Sequence, residues 1–311
     1  MQFIQGVGQI PTFLRDKNGN VFVNPAKDYA FPFDLMVDPT GGPPASNVIT
    51  VAGGAAVGPF PMTVRYDGPF EAFYQMIRAS DQDMTLFLEL PGKRRYLMNR
   101  EIHLGTIIGD AGRSGVIPET IFIPAVQVAL ASFRDLSGAE QTVEYGLSGI
   151  KYYPMQAPQE VRKEMFSYLE RRERTYPYWL TSDEDVTLTP LQTGVFATFT
   201  VPGDTDLEIF KCTIWTDQAG SVGRTIRGQI FESQDGRPLS NSMMDISLLM
   251  GGLDATALAG QFLNSGGIFP KRYATSWLVR RGTKFSVRLD SSSNATVRVY
   301  MTFWGRKISY S

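Results

Sequence analysis

One block of thirteen residues occurs twice in the chain, and this repeat limits the fold more than any other feature. Leu97-Met98-Asn99-Arg100-Glu101-Ile102-His103-Leu104-Gly105-Thr106-Ile107-Ile108-Gly109 aligns without a gap on Leu239-Ser240-Asn241-Ser242-Met243-Met244-Asp245-Ile246-Ser247-Leu248-Leu249-Met250-Gly251, since 241 − 99 and 251 − 109 both equal 142. Upstream, Phe70-Glu71-Ala72-Phe73 through Ile77 lies against Leu207-Glu208-Ile209-Phe210 through Ile214. Downstream, Ile121-Phe122-Ile123-Pro124 parallels Ile268-Phe269-Pro270, and Val143 to Lys151 parallels Val299 to Lys307, each closing on Gly-x-Lys. The displacement there is 305 − 149, or 156, as extra loop residues in the second half would give. An ordered repeat in 311 residues predicts two copies of one folding unit.

The unit reads as β-structure. Val195, Ala197, Phe199 and Val201 alternate with Phe196, Thr198 and Thr200. The same period of two governs Phe285 to Leu289, Val297 to Phe303 and Val143 to Leu147, and it places one set of side chains on a buried face. Clusters of Gly, Pro, Asn, Asp and Ser at 16–20, 40–46, 233–238 and 290–294 break the chain into short segments, the pattern of a sandwich or barrel. One helix is predicted from about Pro158 to Arg174, with Val161, Met165, Tyr168 and Leu169 on one side and charged residues on the other, stopped by Pro177. Its Arg171, Arg172 and Arg174 fit a solvated face better than an acidic partner. The predicted organisation is an extended N-terminal arm over 1–59, a first β-sandwich over 60–155, a connector helix over 156–176 and a second β-sandwich over 177–311.

Composition removes many functions. Lys and Arg number 30 against 31 Asp and Glu, so no global basic field supports phosphate binding, and no direct nucleic-acid partner is expected. The single Cys212 excludes an intrachain disulfide, and the single His103 excludes a site built on two imidazoles. The opening Met-Gln-Phe-Ile-Gln-Gly lacks the pattern of a secretory signal. No apolar stretch reaches the roughly 20 residues a spanning helix needs, so no membrane spanning is expected.

No residue earns a catalytic, cofactor-binding or metal-ligating assignment. His103 sits in an apolar block, faces Asp245 in the repeat and has no nucleophile signalled beside it, which favours a structural role. Cys212 lies on a predicted strand, where a thiol is usually buried. Gly109-Asp110-Ala111-Gly112-Arg113-Ser114-Gly115 lacks the Lys-Ser/Thr ending of a phosphate loop. Ser182-Asp183-Glu184-Asp185 and Asp81-Gln82-Asp83 lack calcium-loop spacing and read as solvated turn carboxylates. Trp179, Trp215, Trp277 and Trp304 fit packing or subunit contacts, with a sugar platform as the alternative.

Several stretches together resemble a known class. They are Tyr176-Pro177-Tyr178-Trp179-Leu180-Thr181, Val201-Pro202-Gly203-Asp204-Thr205-Asp206-Leu207-Glu208, the Gly236-Arg237-Pro238-Leu239-Ser240-Asn241 turn and the closing Val299 to Lys307 strand. The resulting pattern is similar to the virion β-sandwich proteins of bacteriophages, over about 176–309 and, through the repeat, more loosely over 60–153. The resemblance implies an all-β fold of two tandem jelly-roll-like antiparallel sandwiches. It implies a non-enzymatic virion structural protein of the head surface, neck or tail-fibre attachment, without cofactors, and a double jelly-roll major capsid protein is the alternative. Its partners would be copies of itself, as a homo-oligomer, and other virion proteins. It would reside in the virion after assembly in the host cytoplasm. A carbohydrate-binding or glycoside-hydrolysing sandwich is the reading from another class.

Overall fold

A computed structural model describes residues 29–39, 47–107 except 82 and 94, 114–172, 175–217, 225–233, 236–250, 252–254 and 271–308. In the first half β1 (Ala30–Met36), β2 (Ile49–Val51), β3 (Ala56–Thr63), β4 (Phe70–Ala79) and β5 (Met84–Leu90) precede the short β6 (Arg95–Tyr96) and β7 (Ile102–His103). A single-turn helix α1 (Leu104–Ile107) leads to β8 (Ser114–Ile123), β9 (Val128–Asp135) and β10 (Gln141–Tyr152). Helix α2 (Gln159–Arg172) then connects to the second half. There β11 (Thr175–Thr181), β12 (Val186–Leu188), β13 (Val195–Thr200), β14 (Asp206–Thr216), β15 (Ile226–Phe231) and β16 (Met244–Asp245) lead to α3 (Ile246–Met250). The chain ends in β17 (Gly252–Asp254), β18 (Lys271–Val279), β19 (Lys284–Ser291) and β20 (Val297–Ile308).

Sheet order makes each half a jelly roll. One sheet of the first half runs β1-β10-β4-β8 and the facing sheet β3-β9-β5-β6. In the second half β11-β20-β14 continues to β18, with β17 also on β14, opposite a sheet ordered β13-β19-β15-β16. Replacing each first-half strand by its second-half equivalent reproduces the order, with β16 on β15 answering to β7, which also pairs with β5. The two apolar cores contain the alternating residues read from the sequence, including Val143, Tyr145 and Leu147 in one and Ala197, Phe199, Val287 and Leu289 in the other. Each Val, Leu or Phe among them contributes roughly 1.5–3 kcal/mol on leaving water.

Fine structure repeats as well. Phe73 in β4 and Phe210 in β14 are each the extra residue of a bulge, opposite Gly149 of β10 and Gly305 of β20. A Cβ on Gly149 would overlap the carbonyl oxygen of Glu71, and one on Gly305 that of Glu208, so close backbone approach demands glycine at both sites. Two residues on, Lys151 pairs with Asp67 and Lys307 with Asp204, each ammonium lying over aromatic rings of the neighbouring edge strand. The Gly-x-Lys ending is therefore a structural signature. Pro32 and Pro177 occupy matching places on β1 and β11, both edge strands, where a missing N–H breaks no ladder.

Three expectations change. From Ala30 onward the stretch read as an extended arm is sheet: β1, β2 and the start of β3 lie before residue 60. Its Pro and Gly content suits edge strands, since β3 carries Gly58, Pro59 and Pro61 around a bulge and, among the described residues, pairs only with β9. Residues 1–28 of that arm, and the 40–46 turn, lie outside the described residues. The alignment of Ile121–Ile123 with Ile268–Pro270 also fails. Phe70 pairs with Ile123 where Leu207 pairs with Val279, so Trp277–Val279 takes that place, while 268–270 lie outside the described residues. Finally, the connector helix packs Met165 and Leu169 onto Ala30, Phe122 and Tyr152, so it belongs to the first sandwich. There Tyr168 and Tyr152 both donate to the buried carboxylate of Glu71, at 2.9 and 2.8 Å.

Gly149→Ala and Gly305→Ala are each expected to lower unfolding free energy by about 2–4 kcal/mol in urea titrations. Gly203→Ala, whose new Cβ would meet nothing within 4 Å, is the neutral control.

Candidate functional site: the joint between the sandwiches

The most elaborate polar arrangement lies where one sandwich meets the other. On the first side β7 and α1 present His103, Gly105 and Thr106, and on the second β14 and β20 present Thr213, Trp215, Tyr300 and Thr302. The side chain of His103 is fully buried, and its ring stacks on Trp215 at 4.0 Å and Tyr300 at 4.3 Å between centroids. Trp215 and Tyr300 are cross-strand partners, so they form one continuous aromatic surface. Gly105 is glycine because a Cβ there would enter the Trp215 indole.

Hydrogen bonds fix the imidazole's tautomer. The Gly105 N–H donates to Nδ1 at 3.1 Å, so Nδ1 carries a lone pair and the proton sits on Nε2, directed at Asp83 Oδ1 at 3.4 Å. Burial, the dominant influence, pushes the His103 pKa below its usual 6.5, with Asp83 pulling the other way. Burial also works to raise the Asp83 carboxyl, but hydrogen bonds from His103 and Arg298 outweigh it and hold the carboxyl below its ordinary value. Arg298 reaches from the second sandwich to Asp83 Oδ2 at 2.8 Å while its Nε binds Asp217 at 2.7 Å. Burial pushes the Tyr300 phenol up to about 12, so that ring stays neutral.

Three further sets of bonds complete the joint. Thr302 hydrogen-bonds Thr106 Oγ1 at 2.7 Å, Thr106 donates to the His103 carbonyl, and Thr213 donates to the Thr106 carbonyl while accepting from Trp304 Nε1. The Asn99 side-chain amide gives and receives one bond with the Thr181 backbone, both at 2.9 Å, beside a Trp179 N–H bond to the Leu97 carbonyl. Arg100 bridges to Asp185 and to the Asp183 carbonyl near a cleft of about 40 Å³ lined by Thr85, Glu101, Arg134 and Tyr300.

This chemistry holds surfaces together. With both imidazole nitrogens engaged, His103 has no lone pair to accept a substrate proton in this arrangement. Among the described residues no three His, Cys, Asp or Glu side chains are grouped to hold a metal ion. Cys212 is buried on β14 with its sulfur against the Leu249 carbonyl. Trp179, Trp215 and Trp304 are buried, and Trp277 packs on Phe285, so none forms an exposed platform. The glycine-rich loop lies outside the described residues from 109 to 113, and so do the side chains of Arg171, Arg172 and Arg174.

One acidic turn differs from expectation. Asp83, read as solvated, belongs to the joint, because spacing in one segment carries no sign of an arginine 215 residues away in sequence. The carboxylates of 183–185 are exposed as expected, with Asp185 reached by Arg100. A signal was nevertheless present. His103, Gly105 and Thr106 stand opposite Asp245, Ser247 and Leu248 in the repeat, and these differences within a well-matched block fall on the face that the first copy turns to the joint.

No family model matches the chain, and no curated protein matches it. Among solved structures the chain is similar to a peptide-N(4)-(N-acetyl-β-D-glucosaminyl)asparagine amidase, at 10% identity over 90% of this chain and 97% of that one, with a TM-score of 0.37. It is similar to the STIV MCP at 9% identity, again over 90% and 97%, with a TM-score of 0.39. A structure of infectious bursal disease virus, Gx strain, is similar at 12% identity over 91% and 73%, with a TM-score of 0.23. Likeness at these values transfers no residue role to this chain.

His103 is the only histidine, which isolates its effect on stability. Its folded pKa is depressed, so below pH 6.5 the unfolded chain takes up a proton that the folded chain refuses. Stability is therefore complete above that pH and declines as pH falls below it, by up to about 1.4 kcal/mol per pH unit. Urea unfolding between pH 7.5 and 5 measures the slope, and His103→Gln is expected to flatten it.

Proposed function

We propose that this chain is a non-enzymatic structural protein of a virus particle, built to hold neighbouring subunits in fixed relation. The observation that carries this reading is the joint, because it fastens two jelly rolls through a buried polar network. A particle component needs this rigidity, since an error in the angle between its two halves would propagate through every symmetric contact. The sequence resemblance to bacteriophage virion proteins supports assignment to a phage, on the head surface, neck or tail-fibre attachment. Its partners would then be copies of itself and other virion proteins, with assembly in the host cytoplasm. The pairing of two jelly rolls in one chain specifically favours a second reading within the same class, a double jelly-roll major capsid protein.

The carbohydrate reading loses its main support, because the tryptophans that suggested a sugar platform are packed. Near balance of charge likewise favours protein partners over nucleic acid.

Mass spectrometry of purified virions and electron microscopy of the purified protein test the proposal. The expected result is the chain at high copy number in particles and symmetric oligomers in isolation. A strictly monomeric protein absent from particles, or one that releases glycans from glycopeptides, contradicts it.

A further inference from the structure

One end of the first sandwich carries two apolar side chains at places where the second sandwich has glycine. The loop from β3 to β4 and the turn from β8 to β9 are tied together there. The Val126 N–H donates to the Val64 carbonyl at 3.0 Å, and the Val64 N–H donates to the Gln127 carbonyl at 2.9 Å. The second sandwich repeats both bonds, from Gly282 to Val201 and from Val201 to Thr283, each at 3.0 Å. Val126 therefore answers to Gly282, and, two residues on from Val64 and Val201, Tyr66 answers to Gly203. The next residues, Asp67 and Asp204, hold Lys151 and Lys307 and fix the register.

Glycine suits the turn, because φ there is 71° at Gly282 and 65° at Val126. A β-branched residue in that conformation is strained, and packing among the described residues does not offset the strain, since Val126 is 72% exposed. Tyr66 is 87% exposed. The second sandwich forms this end of the fold with neither side chain, so their presence on the first serves a contact with something outside the described residues.

The place where the chain enters the sandwich indicates what that is. The Tyr152 N–H donates to the Pro69 carbonyl, a Cβ on Gly68 would overlap the Tyr152 carbonyl, and the Tyr153 N–H donates to the Tyr29 carbonyl at 2.7 Å. Residues 1–28 thus join the sandwich beside the loop that carries Tyr66. Their first half, 1–14, contains Phe3, Ile4, Val7, Ile10, Phe13 and Leu14 and no charged side chain. Their second half, 15–28, is long enough to bridge up to about 45 Å. Attachment to the same chain also gives the apolar half a roughly millimolar effective concentration at the tip, ahead of any separate partner.

We infer that residues 3–14 dock on the tip formed by Tyr66 and Val126 of their own chain. Apolar surface leaves water on both sides of the contact, which supplies its driving force. The strained Val126 is then a fixed anchor whose side chain the turn holds outward. This inference goes beyond the viral reading and does not depend on it.

Cysteine pairs in the full chain, treated with a short bis-maleimide, test it, and buried Cys212 makes the parent protein the blank. Gln9→Cys with Arg65→Cys, at an exposed position next to Tyr66, is expected to give an intrachain cross-link in the monomer. Gln9→Cys with Met155→Cys, at an exposed position two residues after Tyr153, reports the nearness of the tether alone and is expected to react about tenfold more slowly. Adding Tyr66→Gly and Val126→Gly, the residues of the second tip, is expected to slow the first cross-link about tenfold. Leu191→Gly, which removes another exposed side chain at positive φ from the second sandwich, is expected to leave it unchanged. Circular dichroism melting confirms that each variant folds. Equal rates at 65 and 155, or a rate at 65 indifferent to the glycine pair, overturns the docking. A covalent dimer from mixed Gln9→Cys and Arg65→Cys proteins, in place of the intrachain product, assigns the tip to a second copy and also overturns it.

Discussion

The neutral imidazole of His103 is the contact on which the arrangement of the two sandwiches depends. Its flat apolar face lies on rings supplied by the other sandwich, while its two nitrogens are tied to Gly105 and Asp83 of its own. A charged ring would carry protons on both nitrogens and set one against the Gly105 N–H, so the neutral form is part of the geometry. Asp83 extends the same network to Arg298, and Arg298 to Asp217, so one chain of hydrogen bonds crosses the boundary. Buried polar networks fix a unique arrangement when their members are satisfied; here the imidazole, Asp83 and Arg298 are, while the buried indole N–H groups of Trp215 and Trp179 have no hydrogen-bond partner among the described residues.

Duplication explains how such a joint can arise on a fold that does not need it. The features that define the sandwich occur in both halves: the bulge opposite Gly149 and Gly305, the lysines at 151 and 307, the edge prolines at 32 and 177. The features that define the joint occur once. Trp304, Thr302 and Thr213 stand where the first copy has Ser148, Gly146 and Met76, and none of those three could build the same hydrogen-bond chain. One set of positions therefore holds the fold, and a separate set on the outer face specializes each copy.

The sequence revealed the fold more fully than the joint because the two are written at different ranges. Alternation in β10, β13, β19 and β20 is local, and the ungapped block over β7 and α1 preserved its spacing because strand and turn lengths there are fixed by register. The first strand is not legible in the sequence, since Pro32 and a Gly-Pro-rich surround look irregular until an edge position makes them acceptable. The role of Asp83 was illegible for a different reason: its partner Arg298 is near it only after both sandwiches have formed. The mismatches within the repeat, His103 against Asp245 above all, were the one local trace of that contact.

Nitrogen-15 NMR of the imidazole tests the central claim most directly, because the protein holds a single histidine. The expected spectrum at neutral pH has a protonated Nε2 and an unprotonated, hydrogen-bonded Nδ1, with the titration displaced below the usual 6.5. Two nitrogens averaged by exchange and titrating together near pH 6.5 would contradict a buried, neutral His103 and, with it, the rigid joint.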